Sequence, residues 1–187
     1  MTPEQTEAFV PKLAGCCRSF ASLPMPTIAE VRGAAAGGGC ELALSCDLRL
    51  IAADAKIGLR ETALGIIPGA GGTQRLPRMI GSARAKRWIF AAELHDAARA
   101  LRDGVADEVH ESSQLESRAR ELAETIAANG PLAVRLAKRA IEQGADRPLA
   151  EALDVEWDCY RETLATEDRI EALEAFADKR APVFKGR

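Results

Sequence analysis

Apolar residues recur at spacings of three and four between Thr2 and Leu23, at Phe9, Leu13, Cys16, Cys17 and Phe20. That period predicts an amphipathic helix. Thr2 suits its N-cap, Pro3 its first turn, and Gln5 lies where a capping box needs it. Pro24-Met25-Pro26 ends the segment. TIAEVRG is short and β-branched and stops at glycine, which predicts a strand. AAAGGG leads into CELALSCD, apolar on nearly every side and therefore expected to be a buried helix. DLRLIAA reads as the next strand, and Gly58 to Gly72 mainly as loop. TQRLPRMIG and SARAKRWIFAA read as helices, with Gly81 as stop and Ser82 as cap between them.

From His95 the pattern is mostly helical. DAARALRD predicts a short helix and VADEV a short strand. SQLESRARELAETIAAN predicts an amphipathic helix stopped at Asn129-Gly130. PLAVRLAKRAIEQG opens with proline and closes with glycine, as helices often do. PLAEALDVEWDCYRETLA and TEDRIEALEAFADKR complete the series, the latter capped by Thr166. Strands fall before residue 110 and helices dominate after it, so the expected class is α/β: a small mixed core at 1–110, then a helical region at 111–187. No polar linker, repeat or low-complexity segment divides the chain.

Composition narrows the classes. The chain has 187 residues, 47% of them apolar and 28% charged, enough for one core and unlike a disordered segment. Aromatics are only 4%, so aliphatic residues must fill the interior. The net charge of −3 and the lack of clustered basic residues argue against a nucleic-acid groove. Arg84, Lys86 and Arg87, and Arg135, Lys138 and Arg139, sit at helical spacing and are expected on solvated faces, with contacts to a nucleotide phosphate as the alternative. Five cysteines with no CxxC pair predict free thiols and a reducing compartment. His95 and His110 are the only histidines, too few for an ordinary zinc site, and are expected at the surface. No apolar run reaches membrane-spanning length, and MTPEQTEAF lacks the marks of a secretory signal.

Candidate chemistry concentrates between Gly33 and Gly72. Gly37, Gly38 and Gly39 stand between strand and helix, where glycine lets a ligand approach the backbone and the helix start presents free N–H groups. Such a place suits an anion. It can be a phosphate cradle, an oxyanion hole or simply a turn; the Gly-Lys-Ser/Thr ending of a P-loop is missing. Glu41 lies in the first turn of the apolar helix, where helix dipole and desolvation act on it in opposite directions. Glu61 follows in GLRETALG. Two carboxylates meeting beside such amides can share a water, one accepting its proton and the other donating to substrate. Spacing alone does not show that they meet.

The strings IAEVRGAAAGGGCELALSCDLRLIA and RETALGIIPGAGGTQRLPR closely resemble the crotonase, or enoyl-CoA hydratase/isomerase, superfamily. The likeness continues through KRWIFAAELHDAARALRDGVADEV to TEDRIEALEAFADKRAPVFKGR, nearly the whole chain, and is similar in wording to the methylglutaconyl-CoA hydratase group. It implies a crotonase-like ββα superhelix core followed by a helical region that serves oligomerisation. It implies hydration of a 2-enoyl-CoA to a 3-hydroxyacyl-CoA in a lyase. The N–H of Gly38 would hold the thioester oxygen, Glu41 would activate water, and Glu61 would protonate the α-carbon. Gly37 and Gly69 would border the substrate, Gly69 at a position that shapes the water site in relatives. Leu59, Ile66 and Trp88 would contribute pocket walls. No metal or redox cofactor is implied, and coenzyme A enters with the substrate. The implied partner is a second and third copy, as trimer or hexamer, with neither nucleic acid nor membrane. The implied compartment is the cytoplasm, or the mitochondrial matrix in a eukaryote.

Family members carry a substantial region ahead of the helix that opens this chain, with core strands, part of the coenzyme A pocket and a second oxyanion N–H. Nothing ahead of Thr2 matches it, so the resemblance implies a core incomplete at its N-terminus. An open sheet edge and exposed apolar surface are then expected. Lacking one oxyanion donor typically costs ~10²- to 10³-fold in rate. The alternatives are an assembly module without catalysis, and an enoyl-CoA isomerase using Glu61 alone.

Overall fold

The computed structural model describes residues 2–187. Helix α1 runs Pro3–Ala21, and its start is the expected capping box: Thr2 accepts from the N–H of Gln5, and Gln5 accepts from that of Thr2. Its apolar face behaves less simply than the periodicity predicts. Cys17 is buried, whereas Phe9, Cys16 and Phe20 are exposed. Strand β1 (Ile28–Val31) and strand β3 (Leu48–Ala52) form where the β-branched and aliphatic runs place them.

Five shorter features depart from the sequence reading. AAAGGG contains a strand, β2 (Ala34–Ala36), and helix α2 begins at once as Gly38–Ala43, earlier and shorter than CELALSCD implies. The supposed loop opens with the end of strand β4 (Lys56–Gly58) and contains a 3-10 helix at Glu61–Leu64. Helices α3 (Gly72–Ile80) and α4 (Ser82–Ala91) follow, but Ser82 is the first helical residue and Gly81 the cap. His95–Asp96 forms strand β5, whose Asp96 caps α5 (Ala97–Asp103). The strand expected at VADEV lies further on, as β6 (Glu108–His110). Strands this short are set by their partners, not by propensity.

The strands make two sheets. In one, β3 lies between β1 and β6, all parallel, with Ile28 opposite Leu48 and Leu50 opposite Glu108. In the other, β4 pairs parallel with β2 and antiparallel with β5. Side chains lock the first register at both interfaces. Asp47 accepts from the N–H and hydroxyl of Thr27, at 2.7 and 2.9 Å, and returns its own N–H to Thr27 Oγ1. Across the other interface Asp107 accepts from the backbone N–H and guanidinium of Arg49. Arg49 is buried, and its remaining donors reach the carbonyls of Val105 and Cys46. A buried charge needs such partners. Among the described residues β1 and β6 are the edges of one sheet, β2 and β5 those of the other.

The chain forms two compact units, one made of residues up to Leu23 with Thr27–Arg120, the other of Pro24–Pro26 with Glu121–Arg187. The division falls inside α6 (Leu115–Ala127), ten residues beyond the expected 110. The second unit is the rest of α6 with α7 (Pro131–Gly144), α8 (Leu149–Thr163) and α9 (Glu167–Ala177), at the expected places and with Thr166 capping α9. Lys138 is not on a solvated face: it is buried, with its ammonium on the carbonyl of Met25. Arg139 is paired with Glu162. Among the described residues no helix is long and apolar enough to cross a membrane. All five cysteines are free.

His95 is also not at the surface. It is 8% exposed, its ring lies 4.1 Å from that of Trp88, and its Nε2 is buried without a hydrogen-bond partner among the described residues. Burial therefore holds its pKa below the ordinary 6.5. The folded form then binds that proton less readily than the unfolded chain, so stability is full above 6.5 and declines as pH falls through and below it. We expect the thermal midpoint to drop between about pH 7.5 and pH 5.5, and His95→Gln to flatten that slope. Calorimetry across this range is the check.

Candidate active site

The parallel pair β2 and β4 sets the site, because each strand ends in a candidate segment. Ala36 stands opposite Gly58 at the paired C-terminal ends. Beyond Ala36 come Gly37 and α2; beyond Gly58 come Leu59, Arg60 and Glu61. Two loops leaving neighbouring parallel strands at the same end must lie side by side, which is where open α/β sheets bind ligands. Gly37 turns the chain with φ 56° and donates its N–H to Gly58 O at 2.9 Å. Few residues but glycine accept that angle. Gly38 and Gly39 open α2, so their amides have no acceptor within the helix. A side chain at Gly38 would meet Leu13 of α1, 2.8 Å from the position of a Cβ.

Glu41 is 2% exposed. Its Oε1 accepts two backbone hydrogen bonds, from Ala70 at 2.7 Å and Gly72 at 2.8 Å. The clamp depends on glycine in the PGAGG loop. Gly71 has φ 118°, and a Cβ on Gly72 would lie 2.9 Å from both Leu59 and Pro68. Arg75 donates to Ala70 O at 3.0 Å, so Ala70 is held through both its amide and its carbonyl. Gly69 stands beside this clamp with its Cα face against Val10 of α1.

Glu61 occupies the first position of the 3-10 helix and is half-buried. Its Oε1 lies 3.2 Å from where a Cβ on Gly37 would be, so glycine there admits the carboxyl. Its Oε2 is buried and has no hydrogen-bond partner among the described residues. Burial pushes the Glu61 pKa up, and the charge of Glu41 adds to the rise. The thiol of Cys40, next to Glu41 in α2, is fully buried and pushed up by burial and then by the charges of Glu61 and Glu41.

The structure thus gathers Gly37, Gly38, Glu41 and Glu61 into one cluster. Sequence reasoning missed the amides of Ala70 and Gly72, for which the glycine density of PGAGG was the available signal. It also missed Arg60 and Thr62, whose side chains tie the Glu61 turn to the end of α4. Of the supposed pocket walls, Ile66 is exposed, while Leu59 and Trp88 are fully buried, Trp88 donating to Asp103 at 2.8 Å. Two carboxyls with unlike surroundings, one fixed by amides and one inclined to keep its proton, can divide acceptance and donation of a proton. The unpaired amides beside them can hold an anionic oxygen.

Known proteins resemble this chain over its whole length. The family model described as enoyl-CoA hydratase/isomerase matches residues 2–187. The chain is 46% identical to the mitochondrial methylglutaconyl-CoA hydratase of Rattus norvegicus over 190 residues, covering all of this chain and 60% of that protein. It is 43% identical to the mitochondrial enoyl-CoA hydratase domain-containing protein 2 of Mus musculus over 191 residues, covering all of this chain and 64% of that protein. It therefore spans a little under two thirds of the length of these relatives. The crystal structure of an enoyl-CoA hydratase from Bacillus anthracis superposes with a TM-score of 0.98 at 46% identity, over all of this chain and 72% of that one. The crotonase-like core and the paired glutamates thus stand in a chain that belongs to the enoyl-CoA hydratase/isomerase family.

Proposed function

We propose that this site adds water reversibly to a 2-enoyl-CoA, giving a 3-hydroxyacyl-CoA. The observation that carries the proposal is the contrast between the two carboxyls: Glu41 pinned by two amides, Glu61 half-buried with a raised pKa and a buried oxygen that has no partner among the described residues. In this reading the Gly38 N–H binds the thioester oxygen. Glu41 takes a proton from water as the hydroxyl adds to the β-carbon, and the electron pair moves onto the thioester oxygen as an enolate. Glu61 then gives its proton to the α-carbon. One proton leaves Glu61 and one reaches Glu41, so the pair keeps a single proton throughout. Gly37 and Gly69 border the substrate without side chains.

The thioester and two carboxyls suffice for this chemistry, with coenzyme A entering as part of the substrate. The name of the rat relative supports a short or branched acyl group. The free cysteines support a reducing compartment, the cytoplasm or, in a eukaryotic cell, the mitochondrial matrix. Self-association through the second unit belongs to the same reading. Its helices expose the large apolar side chains of Leu149, Leu153, Trp157, Leu173 and Phe176, which a second copy could cover.

With crotonyl-CoA as substrate, Glu61→Gln should lower kcat by about 10³-fold. Glu41→Gln should lower it comparably; a Glu41→Gln variant that still shifts the double bond of a 3-enoyl-CoA at the wild-type rate would favour an isomerase using Glu61 alone. In the wild type the hydration rate should fall as pH rises through the raised Glu61 value, because the acid form is the donor. Sedimentation velocity should find a trimer or larger species, shifted toward monomer by Trp157→Glu with Phe176→Glu. A monomeric wild type would remove the assembly part of the proposal.

A further inference from the structure

The turn that carries Glu61 has little to hold it by packing. None of the residues in the 3-10 helix is buried, and Leu64, Ile66 and Ile67 are exposed. Its position comes instead from two polar ties on either side of the glutamate. Thr62 Oγ1 donates to Ile89 O at 2.6 Å, and Arg60 Nε donates to Ala92 O at 3.2 Å. Both acceptors sit at the C-terminal end of α4, where helix carbonyls lack intrahelical donors. That end is itself fixed: Trp88 and Ile89 are buried, and Trp88 is bonded to Asp103. Gly58, at the head of the same segment, presses on the carbonyl of Glu93, 2.3 Å from where a Cβ would lie. The residues from Gly58 to Thr62 therefore take their position from the end of α4.

We propose that Thr62, supported by Arg60, is a positioning residue that places the Glu61 carboxyl against Gly37 and Glu41. Thr62 touches no substrate in this account and acts through Glu61 alone. Its effect on rate rests on the hydratase reading; its effect on the placement of Glu61 does not. The titratable group acting on Glu61 is Glu41 of α2; the Cys40 thiol of α2 feels the charge of Glu61, and Arg60 next in sequence directs its guanidinium to Ala92 O. Cutting the tie should let the carboxyl swing toward solvent and away from Glu41. A displacement of about 1 Å in such a group can cost up to about 10²-fold in rate.

The test compares wild type with Thr62→Val, which removes the hydroxyl at nearly constant volume, and Thr62→Ser, which keeps it. Carbon-13 NMR of the labelled Glu61 carboxyl should show its titration midpoint in Thr62→Val moving toward the ordinary 4.5, with Thr62→Ser titrating like wild type. On crotonyl-CoA, Thr62→Val should lose about tenfold or more in kcat with KM changed by less than about threefold, and Thr62→Ser should recover it. Arg60→Met, at an exposed position, should move the midpoint in the same direction by less, and serves if Thr62→Val does not fold. A folded Thr62→Val protein whose Glu61 titrates as in wild type overturns the proposal. A shifted midpoint in a protein whose wild type hydrates no enoyl-CoA supports the positioning role and removes the hydratase reading.

Discussion

The double hydrogen bond to Glu41 Oε1 is the interaction on which the site depends. It joins α2 to the loop ahead of α3 across some thirty residues of chain, through the amides of Ala70 and Gly72. A carboxylate this deeply buried is costly unless such donors meet it. Without them Glu41 would have no fixed direction, and the PGAGG loop would lose its reason to fold inward. The loop in turn brings Gly72 against Leu59, at the root of the segment that carries Glu61. The two carboxyls are thus members of one packed unit, and the raised pKa of Glu61 follows from its burial and from the charge of Glu41 nearby.

Different devices hold the two groups, in keeping with different tasks. Glu41 stands on a helix in the core and is pinned by backbone donors that do not titrate. Glu61 stands on a turn with no buried residue, secured by two side chains to the end of α4. The first arrangement favours a fixed direction, the second a group that keeps a proton until the substrate arrives. In the proposed hydration these are the acceptor from water and the donor to carbon.

Much of this was legible in the sequence where a strong local pattern existed. The helices of the second unit followed their periodicity and caps, and Thr2 and Thr166 cap as their spacing implies. β1 and β3 followed their aliphatic runs. β2, β4 and β5 did not, since two- and three-residue strands such as Ala34–Ala36 exist only because a partner lies opposite. The glutamates could be named from their setting, but their convergence is a property of β2 and β4 pairing in parallel, which residue spacing does not encode. The resemblance to crotonases supplied it. Burial of His95 and Lys138 escaped for a similar reason: a titratable side chain looks like surface until its neighbours, Trp88 for one and Met25 for the other, are in place.

The central claim is the meeting of two carboxyls and a glycine amide around one thioester. A crystal structure of this chain with a bound 3-hydroxyacyl-CoA tests it most directly. The account predicts the thioester oxygen within hydrogen-bond distance of the Gly38 N–H, and the 3-hydroxyl between the carboxyls of Glu41 and Glu61. A thioester seated elsewhere, or a hydroxyl reached by neither carboxyl, would contradict it.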